Sequence, residues 1–241
     1  MRIKLICCDV FARLAYSVSA DSKHIIDIFL LPMLSHNEPE LLKINLQQAV
    51  DNTPADVYNK IVMAYGLCGN SIVGLTTNIP LIIPRMHDCS AMFLGSNKRF
   101  KEVFGHRLSA RWRSCGYMER CSDITDDYKS HPGYLKLLKE YGEENAEYVW
   151  QLMHPPPETD TSVYIRMPGF EYSDYESTFC KQMLEAKCTP DIVEGSLLWF
   201  ERLINGPWDN SEEFLELLPG YEIEPIYDMA EIFKANRKGD I

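Results

Sequence analysis

Residues 57–70 read VYNKIVMAYGLCGN, a run rich in apolar and β-branched side chains that leads into a loop in which glycines flank Cys68. A short apolar run closed by glycine is typical of a strand buried on both faces of a sheet. We therefore predict a strand over Val57–Ala64. Ligands of parallel α/β folds bind beside the loops that follow the strands, so this glycine-flanked loop is also a candidate binding loop.

Similar apolar runs lie on either side of this strand, at Arg2–Cys8, Ile25–Leu31 and Pro80–Pro84. Between the second and third strands, Pro39–Val50 carries leucines at helical spacing behind Asn37, a residue type that favours the helix N-cap. The alternation of strands and helices predicts an α/β fold with a parallel sheet that is covered on both faces, in a Rossmann-like three-layer arrangement.

The second half of the chain repeats this alternation. Helical periodicity dominates Tyr128–Met153 and ends at HPPPE, residues 154–158, because prolines remove backbone donors and force extended geometry. We therefore predict two β/α lobes, residues 1–153 and residues 154–241, with the second lobe packed against the first or continuous with it. The predicted elements of the second lobe are strands at 162–167, 189–195 and 214–218 and helices at Asp174–Ala186 and Ser196–Ile204.

Two short helices are predicted after the fourth strand. Asp88 is the expected N-cap of the first, Gly95 is expected to end it, and Ser96 is expected to begin the second. Cys89 would then lie in the first helical turn, where the helix dipole predicts a lowered thiol pKa. The basic and aromatic segment RLSARWRSCGYMERC, residues 107–121, receives no assignment.

Composition excludes several classes of protein. With 241 residues, of which 46% are hydrophobic, the chain is long enough to bury a full core and needs no disulfide or structural metal to fold. Its formal net charge of −11 repels a phosphate backbone, so we expect no nucleic-acid partner. The sequence has no apolar stretch of membrane-spanning length and no secretory signal, so we expect no membrane contact and a cytoplasmic location. A homo-oligomer is compatible with these properties.

The eight cysteines are too few for a disulfide scaffold, and we expect reduced thiols or metal ligands. Cys7, Cys180 and Cys188 lie among apolar residues, and we predict that they belong to the core because free cysteine is commonly buried. Cys68 and Cys89 have glycine-rich and His-Asp surroundings, which are unusual for core positions. No zinc-finger spacing is present, so a metal site has to be assembled from distant segments.

Thiols, imidazoles and a guanidinium follow the four predicted strands of the first lobe. Loops that follow parallel strands share one edge of the sheet, so we expect these side chains to meet there. Thiolates from three loops could hold a metal or cluster, and a guanidinium beside them could bind a carboxylate or phosphate. The residues concerned are, in strand order, Cys8, then His36, then Cys68, then Arg85, His87 and Cys89.

Five segments resemble an uncharacterised family, the domain of unknown function numbered sixteen thirty-eight, over about residues 3–222. The segments are LICCDVF, LLPMLSHNEPELL, YGLCGNSIVGL, PLIIPRMHDCSAMFLGS and EGSLLWFERLINGPWDNSEEFLELLPG. The recurring polar residues of the family match Cys8, His36, Cys68, Arg85, His87, Asp88, Cys89, Gly95 and Ser96.

One segment departs from the family pattern. Where the family has a Gly-Trp-x-Glu stretch, this chain keeps Gly116, an aromatic residue at Tyr117, and Glu119. The resemblance implies a setting in anaerobic microbes, near corrinoid-dependent methyltransferases, and hence redox or methyl-transfer chemistry.

The favoured hypothesis is a protein of anaerobic metabolism in which Cys8, Cys68 and Cys89 bind a 4Fe–4S cluster with one open iron. It would serve a redox or sulfur/methyl-transfer reaction on a small anionic substrate. We predict catalytic or substrate-binding roles for Arg85, His87 and His36. The residues predicted to line the cofactor are Gly66, Gly69, Asn70, Gly95 and Ser96.

Three alternatives remain open. A zinc ion held by three ligands, namely His87 and Cys89 with either Cys68 or Cys8, could activate a thiol for methyl transfer. A non-catalytic protein could use the same edge to deliver a corrinoid or a metal to a partner methyltransferase. Without a metal, Cys68 could act as a nucleophile with His87 as its base.

Overall fold

The chain is described by a computed structural model over residues 1–33, 35, 38–105, 111–120, 129, 132–153, 161–171, 173–185, 187–226 and 231–239. The predicted roles of His36 and Asn37 concern residues outside these ranges, as does the predicted boundary at residues 154–158. Within the described ranges no helix is both long enough and apolar enough to cross a membrane.

The described residues form ten strands and nine α-helices. The strands are β1 (Arg2–Cys8), β2 (Ile25–Leu31), β3 (Lys60–Ala64), β4 (Leu81–Pro84), β5 (Arg111–Ser114), β6 (Thr161–Arg166), β7 (Thr189–Glu194), β8 (Phe214–Leu217), β9 (Tyr221–Pro225) and β10 (Phe233–Arg237). The helices are α1 (Ala12–Ala20), α2 (Pro39–Asp51), α3 (Cys89–Leu94), α4 (Asn97–Phe104), α5 (Cys115–Arg120), α6 (Pro132–Tyr141), α7 (Glu143–Met153), α8 (Tyr175–Glu185) and α9 (Leu198–Asn205).

The central sheet has the order β2-β1-β3-β4-β8, in which β1 to β4 are parallel and β8 is antiparallel to β4. A second sheet, β5-β6-β7, is parallel throughout. The prediction of an α/β fold with a parallel sheet is therefore confirmed. The chain leaves β1 toward β2 and then returns past β1 to β3, so the strand order reverses between β1 and β3. Such a reversal opens a crevice at the carboxyl ends of the two strands.

The inner strands are apolar because both of their faces are covered. All four residues of β4 and the last four of β3 are buried, which explains why both sequences read as continuous apolar runs. The core is continuous between the two sheets, because Val163 and Ile165 of β6 belong to the same buried cluster as Ile3 and Leu5 of β1. The crevice therefore lies at the end of strands that are packed in a continuous hydrophobic core.

Strand pairing crosses the predicted lobe boundary in both directions. The strand β5 precedes residue 154 but pairs with β6, and β8 follows residue 154 but pairs with β4. The loop after β3 also contacts the C-terminal hairpin of β9 and β10, through a bridge between Thr76 and Glu222. The division into two lobes stays a prediction, and the sheets themselves interleave the two halves of the chain.

Most of the predicted helix ends are confirmed. Asp88 accepts a hydrogen bond from the Ser90 amide at 2.8 Å, Gly95 ends α3 with a φ of 84°, and the Ser96 hydroxyl accepts from the Arg99 amide at 3.1 Å. The prediction that Asn37 caps α2 concerns a residue outside the described ranges. Glu38 occupies the N-cap without a side-chain hydrogen bond, because the helix starts directly at Pro39, whose fixed φ suits the first helical position.

Candidate functional site

A cavity of about 390 Å³ opens at the reversal point of the central sheet. Cys8 at the end of β1, Cys68 in the loop after β3 and Cys89 at the start of α3 all line it. Ala64 and Leu42 contribute apolar parts of the lining. The structure therefore brings three thiols from distant parts of the sequence to one cavity, while their role as metal ligands stays a prediction.

Backbone hydrogen bonds join the loops that carry Cys68 and Cys89. The Leu67 amide donates to the Met86 carbonyl at 3.1 Å, and the Cys68 amide donates to the His87 carbonyl at 3.0 Å. A Cβ on Gly66 would lie 2.4 Å from the Met86 carbonyl oxygen, so glycine is required for this close approach. The two loops consequently hold their thiols as one unit.

Cys68 itself has an uncommon backbone conformation. Its φ is 43°, and Gly69 and Asn70 follow with φ values of 70° each. A left-handed conformation costs a residue other than glycine about 1–2 kcal/mol, and such strain is concentrated at functional sites. The strained turn directs Cys68 into the cavity.

Burial keeps the three thiols protonated at neutral pH. It raises the pKa of Cys8 and of Cys68 to about 12, and it raises the pKa of Cys89 well above the usual value of 9.0. Charge on Cys8 would raise the pKa of Cys68 and of Cys89, and the nearby Asp88 carboxylate raises the pKa of the same two thiols. The prediction of a lowered pKa at Cys89 is wrong, because desolvation outweighs the dipole of a six-residue helix.

Tyr65 adds an unused hydrogen-bond donor to the cavity. Its side chain is only 4% exposed, it lines the cavity, and its hydroxyl has no partner among the residues that the structure describes. The hydroxyl lies beside Cys8, whose thiolate it would stabilise, although it makes no well-aligned bond to the thiol. A buried donor without a partner is costly, so this hydroxyl is suited to an acceptor that enters the cavity.

The raised thiol pKa values predict a loss of stability at alkaline pH. Above pH 9 the unfolded chain releases thiol protons that the folded protein still holds, so the free energy of unfolding falls as pH rises from about 9 toward about 12. Each such thiol contributes a slope of about 1.4 kcal/mol per pH unit. Urea unfolding of metal-free protein at about pH 8 and about pH 10 measures this slope. A variant with serine at positions 8, 68 and 89 should show a smaller loss, and an equal loss would contradict the prediction.

Arg85 and His87, both predicted to act in the site, do not line the cavity. The Arg85 guanidinium is 9% exposed and donates to the carbonyls of Ser211, at 2.7 Å, and of Glu231, at 2.6 Å, as well as to the carbonyl of Phe233. It therefore ties the C-terminal hairpin to the end of β4. His87 is partly buried and contributes its backbone carbonyl to the loop pairing. Their catalytic roles stay predictions.

Of the five residues predicted to line the cofactor, the structure places one at the cavity. Gly69 lines the cavity, whereas Gly66, Asn70, Gly95 and Ser96 do not. A Cβ on Gly95 would lie 2.6 Å from the Ser196 Cβ, so Gly95 permits close packing of α3 against the start of α9. Ser96 caps α4. These residues support the loops that carry the site.

The segment left without assignment supplies the remaining wall of the cavity. Arg111, Trp112 and Arg113 of β5 and Tyr117 of α5 line it. The Trp112 and Tyr117 rings meet edge to face with centroids 5.5 Å apart, and the Arg113 guanidinium lies 4.5 Å from the centre of the Tyr117 ring. The alternation of arginine and aromatic residues in RWR, residues 111–113, is the sequence signal that could have identified this wall.

Close packing and ion pairs attach this wall to the end of β1. A Cβ on Gly116 would lie 2.2 Å from the Val10 carbonyl oxygen, so α5 can approach the turn after β1 only with glycine at that position. Glu119 pairs with Arg13, and Arg120 lies 3.7 Å from the Asp9 carboxylate. Three residues that match the family pattern therefore have separate roles. Gly116 allows the close contact, Tyr117 lines the cavity and Glu119 anchors the helix.

The described part of the chain contains no group of three His, Cys, Asp or Glu side chains placed to bind a metal ion. A single tetrahedral zinc ion, with Zn–S bonds of about 2.3 Å, needs its thiolates within about 4 Å of one another. Such a compact set is therefore not preformed by these residues. A cluster of several irons is wider than one ion and accepts thiolates that lie further apart.

Neither the curated proteins nor the solved structures contain a match to this chain. One family model does match, over residues 30–204, which is more than half of the chain. The match covers the loops of Cys68 and Cys89 as well as the β5–α5 wall. The chain therefore belongs to the family described as "Protein of unknown function (DUF1638)".

Proposed function

We propose that this protein binds an iron–sulfur cluster, of the 4Fe–4S type, through Cys8, Cys68 and Cys89. The cluster would serve a redox or sulfur/methyl-transfer reaction on a small anionic substrate. The observation that carries the proposal is the convergence of three thiols, from three separate loops of one sheet, on a single cavity. Three thiolate ligands leave one iron of a 4Fe–4S cluster open to a further ligand.

The chemistry of the surrounding residues supports this assignment. Cys8 is buried and Cys68 and Cys89 are partly buried, which reduces contact of a bound cluster with water, and the unpartnered Tyr65 hydroxyl can donate to a thiolate or to another sulfur acceptor. When bound, the cluster would supply an electron-transfer centre and an open coordination position.

Binding must remove the protons that burial holds on the thiols. Because the pKa values of Cys8 and Cys68 are raised to about 12, loading releases protons and should become more favourable as pH rises. The left-handed backbone at Cys68, with a φ of 43°, fixes the position of that ligand. The β5–α5 wall lines the same cavity as the three thiols.

Anaerobic reconstitution tests the proposal. Full-length protein treated with iron and sulfide under reductant should become brown, with absorbance in the visible charge-transfer region and bound iron and sulfide in equal amounts. Elemental analysis of protein purified without oxygen should find iron in preference to zinc. Zinc bound to the same three cysteines would contradict the cluster and support the zinc-thiolate hypothesis. Protein that binds neither metal would contradict both.

The cellular setting is a separate part of the proposal. The family resemblance supports a role in anaerobic metabolism beside corrinoid-dependent methyltransferases, and the charge and composition support a cytoplasmic location. A partner that receives a metal or corrinoid would be recovered by affinity purification under anaerobic conditions. Stoichiometric transfer without turnover would identify a delivery protein, whereas repeated turnover would identify an enzyme.

A further inference from the structure

The wall formed by β5 and α5, here called the Arg-Trp wall (Arg111, Trp112, Arg113 and Tyr117), faces the same cavity as the three thiols. The geometry points to this wall as the recognition surface for a flat organic anion: Arg113 binds its carboxylate while Trp112 and Tyr117 contact its conjugated body. The ligand contacts of this wall do not depend on the proposed cluster. The inference rests on the proposed function only in taking the bound anion to be the substrate of a cluster at the three thiols.

The Arg113 guanidinium is held in one orientation, but most of its N–H donors make no hydrogen bond within the described residues. Its guanidinium is held over the Tyr117 ring, 4.5 Å from the centroid, and donates one hydrogen bond, at 2.9 Å, to the Trp112 carbonyl. Over the residues that the structure covers, Arg113 forms no ion pair with a carboxylate. A guanidinium carries five N–H donors in a planar fork, so several donors remain for a bidentate contact with a ligand carboxylate.

The rings of the Arg-Trp wall set the shape of the ligand. Trp112 contacts Phe93 behind it, with centroids 5.7 Å apart, and meets Tyr117 beside it at 5.5 Å. These contacts fix the rings, so a flat conjugated ligand can stack without reordering them. Phe11, Met33 and Leu42 make the neighbouring lining apolar, which favours a hydrocarbon body over a sugar or a peptide.

Charge also selects the ligand. The whole chain has a formal net charge of −11, so an anion is repelled over most of the surface and needs a local positive group to enter. Arg113 supplies that charge at the cavity. The Asp88 carboxylate also lines the cavity, but it accepts hydrogen bonds from the Ser90 amide, at 2.8 Å, and from the Ser90 hydroxyl. The Arg113 guanidinium at the cavity disfavours a cationic ligand.

Matched probe compounds test the inference on the full-length protein. Naphthoate carries a flat body and a carboxylate, naphthalenemethanol has the same rings without the charge, and cyclohexanecarboxylate has the charge without a flat ring. Titration calorimetry should show naphthoate binding at least about tenfold more tightly than either comparison compound, as one charge-assisted contact predicts. Equal binding of naphthoate and the alcohol would overturn the inference.

Variants locate the contact. Arg113→Met should weaken naphthoate about tenfold or more and leave naphthalenemethanol unchanged, while Arg113→Lys, which keeps charge but loses the planar fork, should lie between. The matched control is Arg99→Met, because Arg99 is an exposed arginine paired with Glu102 and does not line the cavity. If Arg113→Met does not fold, the naphthoate affinity of Arg113→Lys and the preference of the wild-type protein for naphthoate over naphthalenemethanol test the inference instead. Unchanged naphthoate affinity in a folded Arg113 variant would overturn the inference.

A second readout separates this inference from the proposed function. Bound naphthoate should slow alkylation of Cys68 and Cys89 by a maleimide in metal-free protein, measured by mass spectrometry at alkaline pH. Naphthoate selectivity in protein that never loads iron would support the Arg-Trp wall and contradict the cluster. Iron loading without naphthoate selectivity would support the cluster and contradict the ligand class.

Discussion

Serine at positions 8, 68 and 89 together should abolish cluster loading. A serine hydroxyl is a far poorer iron ligand than a thiolate, and loss of all three ligands leaves no protein donor of the proposed set. After anaerobic reconstitution the triple variant should remain colourless and hold less than about a tenth of the wild-type iron, measured on protein freed of loose metal by gel filtration. Single variants should load partially and lose iron faster.

Two other cysteines provide the matched control. Cys180 lies in α8 and Cys188 lies just before β7, both are partly buried, and neither lines the cavity. Serine at positions 180 and 188 should therefore leave iron content and visible absorbance unchanged. Full iron binding in the triple variant, or an equal loss in this control, would contradict the assignment of the ligands. Circular dichroism of the metal-free variants verifies that both are folded.

Patterns local in the chain were predicted well from sequence. The strands β1 and β2 were located at their observed ends, Arg2–Cys8 and Ile25–Leu31, because both are short segments rich in apolar and β-branched residues. The caps of α3 and α4 follow from Asp88, Gly95 and Ser96, whose roles depend on hydrogen bonds within a few residues. The edge at which loops converge follows from parallel topology alone.

Features that depend on distant contacts were missed. The sequence near Arg85 does not show that its guanidinium is used by carbonyls from residues 211, 231 and 233. The strand β5 is four residues long and pairs with β6 across roughly fifty residues of chain, so local periodicity could not assign it. The hairpin of β9 and β10 was not predicted either.

The thiol pKa values were misjudged for a related reason. A helix N-terminus is visible in the sequence at Asp88–Cys89, whereas the burial of Cys89 results from walls contributed by several distant segments. Desolvation and the neighbouring thiol at Cys68 therefore decide the direction of the shift. The consequence for function is that these thiols are weak nucleophiles in the metal-free protein, which counts against metal-free catalysis by Cys68.

Alanine at position 116 should destabilise the fold and displace the Arg-Trp wall. In a helix, replacing glycine by alanine ordinarily stabilises by about 1 kcal/mol. Here the new Cβ would lie 2.2 Å from the Val10 carbonyl oxygen, a backbone atom that cannot rotate away, so α5 must move off the turn after β1. Overpacking of this kind costs about 1–3 kcal/mol and occasionally more. The propensity gain offsets part of this cost, and we expect a net loss of up to about 2 kcal/mol, measured by urea unfolding.

The displaced helix should also affect the cavity, because Tyr117 and the contact with Arg113 move with α5. Gly116→Ala should therefore reduce the preference for naphthoate over naphthalenemethanol under conditions in which the variant is folded. Gly220→Ala is the control, since Gly220 has a φ of 88° with open space around it, and the cost there is backbone strain of about 1–2 kcal/mol without a clash. It should leave ligand preference unchanged. A Gly116→Ala variant as stable and as selective as the wild type would show that the close contact between α5 and Val10 does not position the wall.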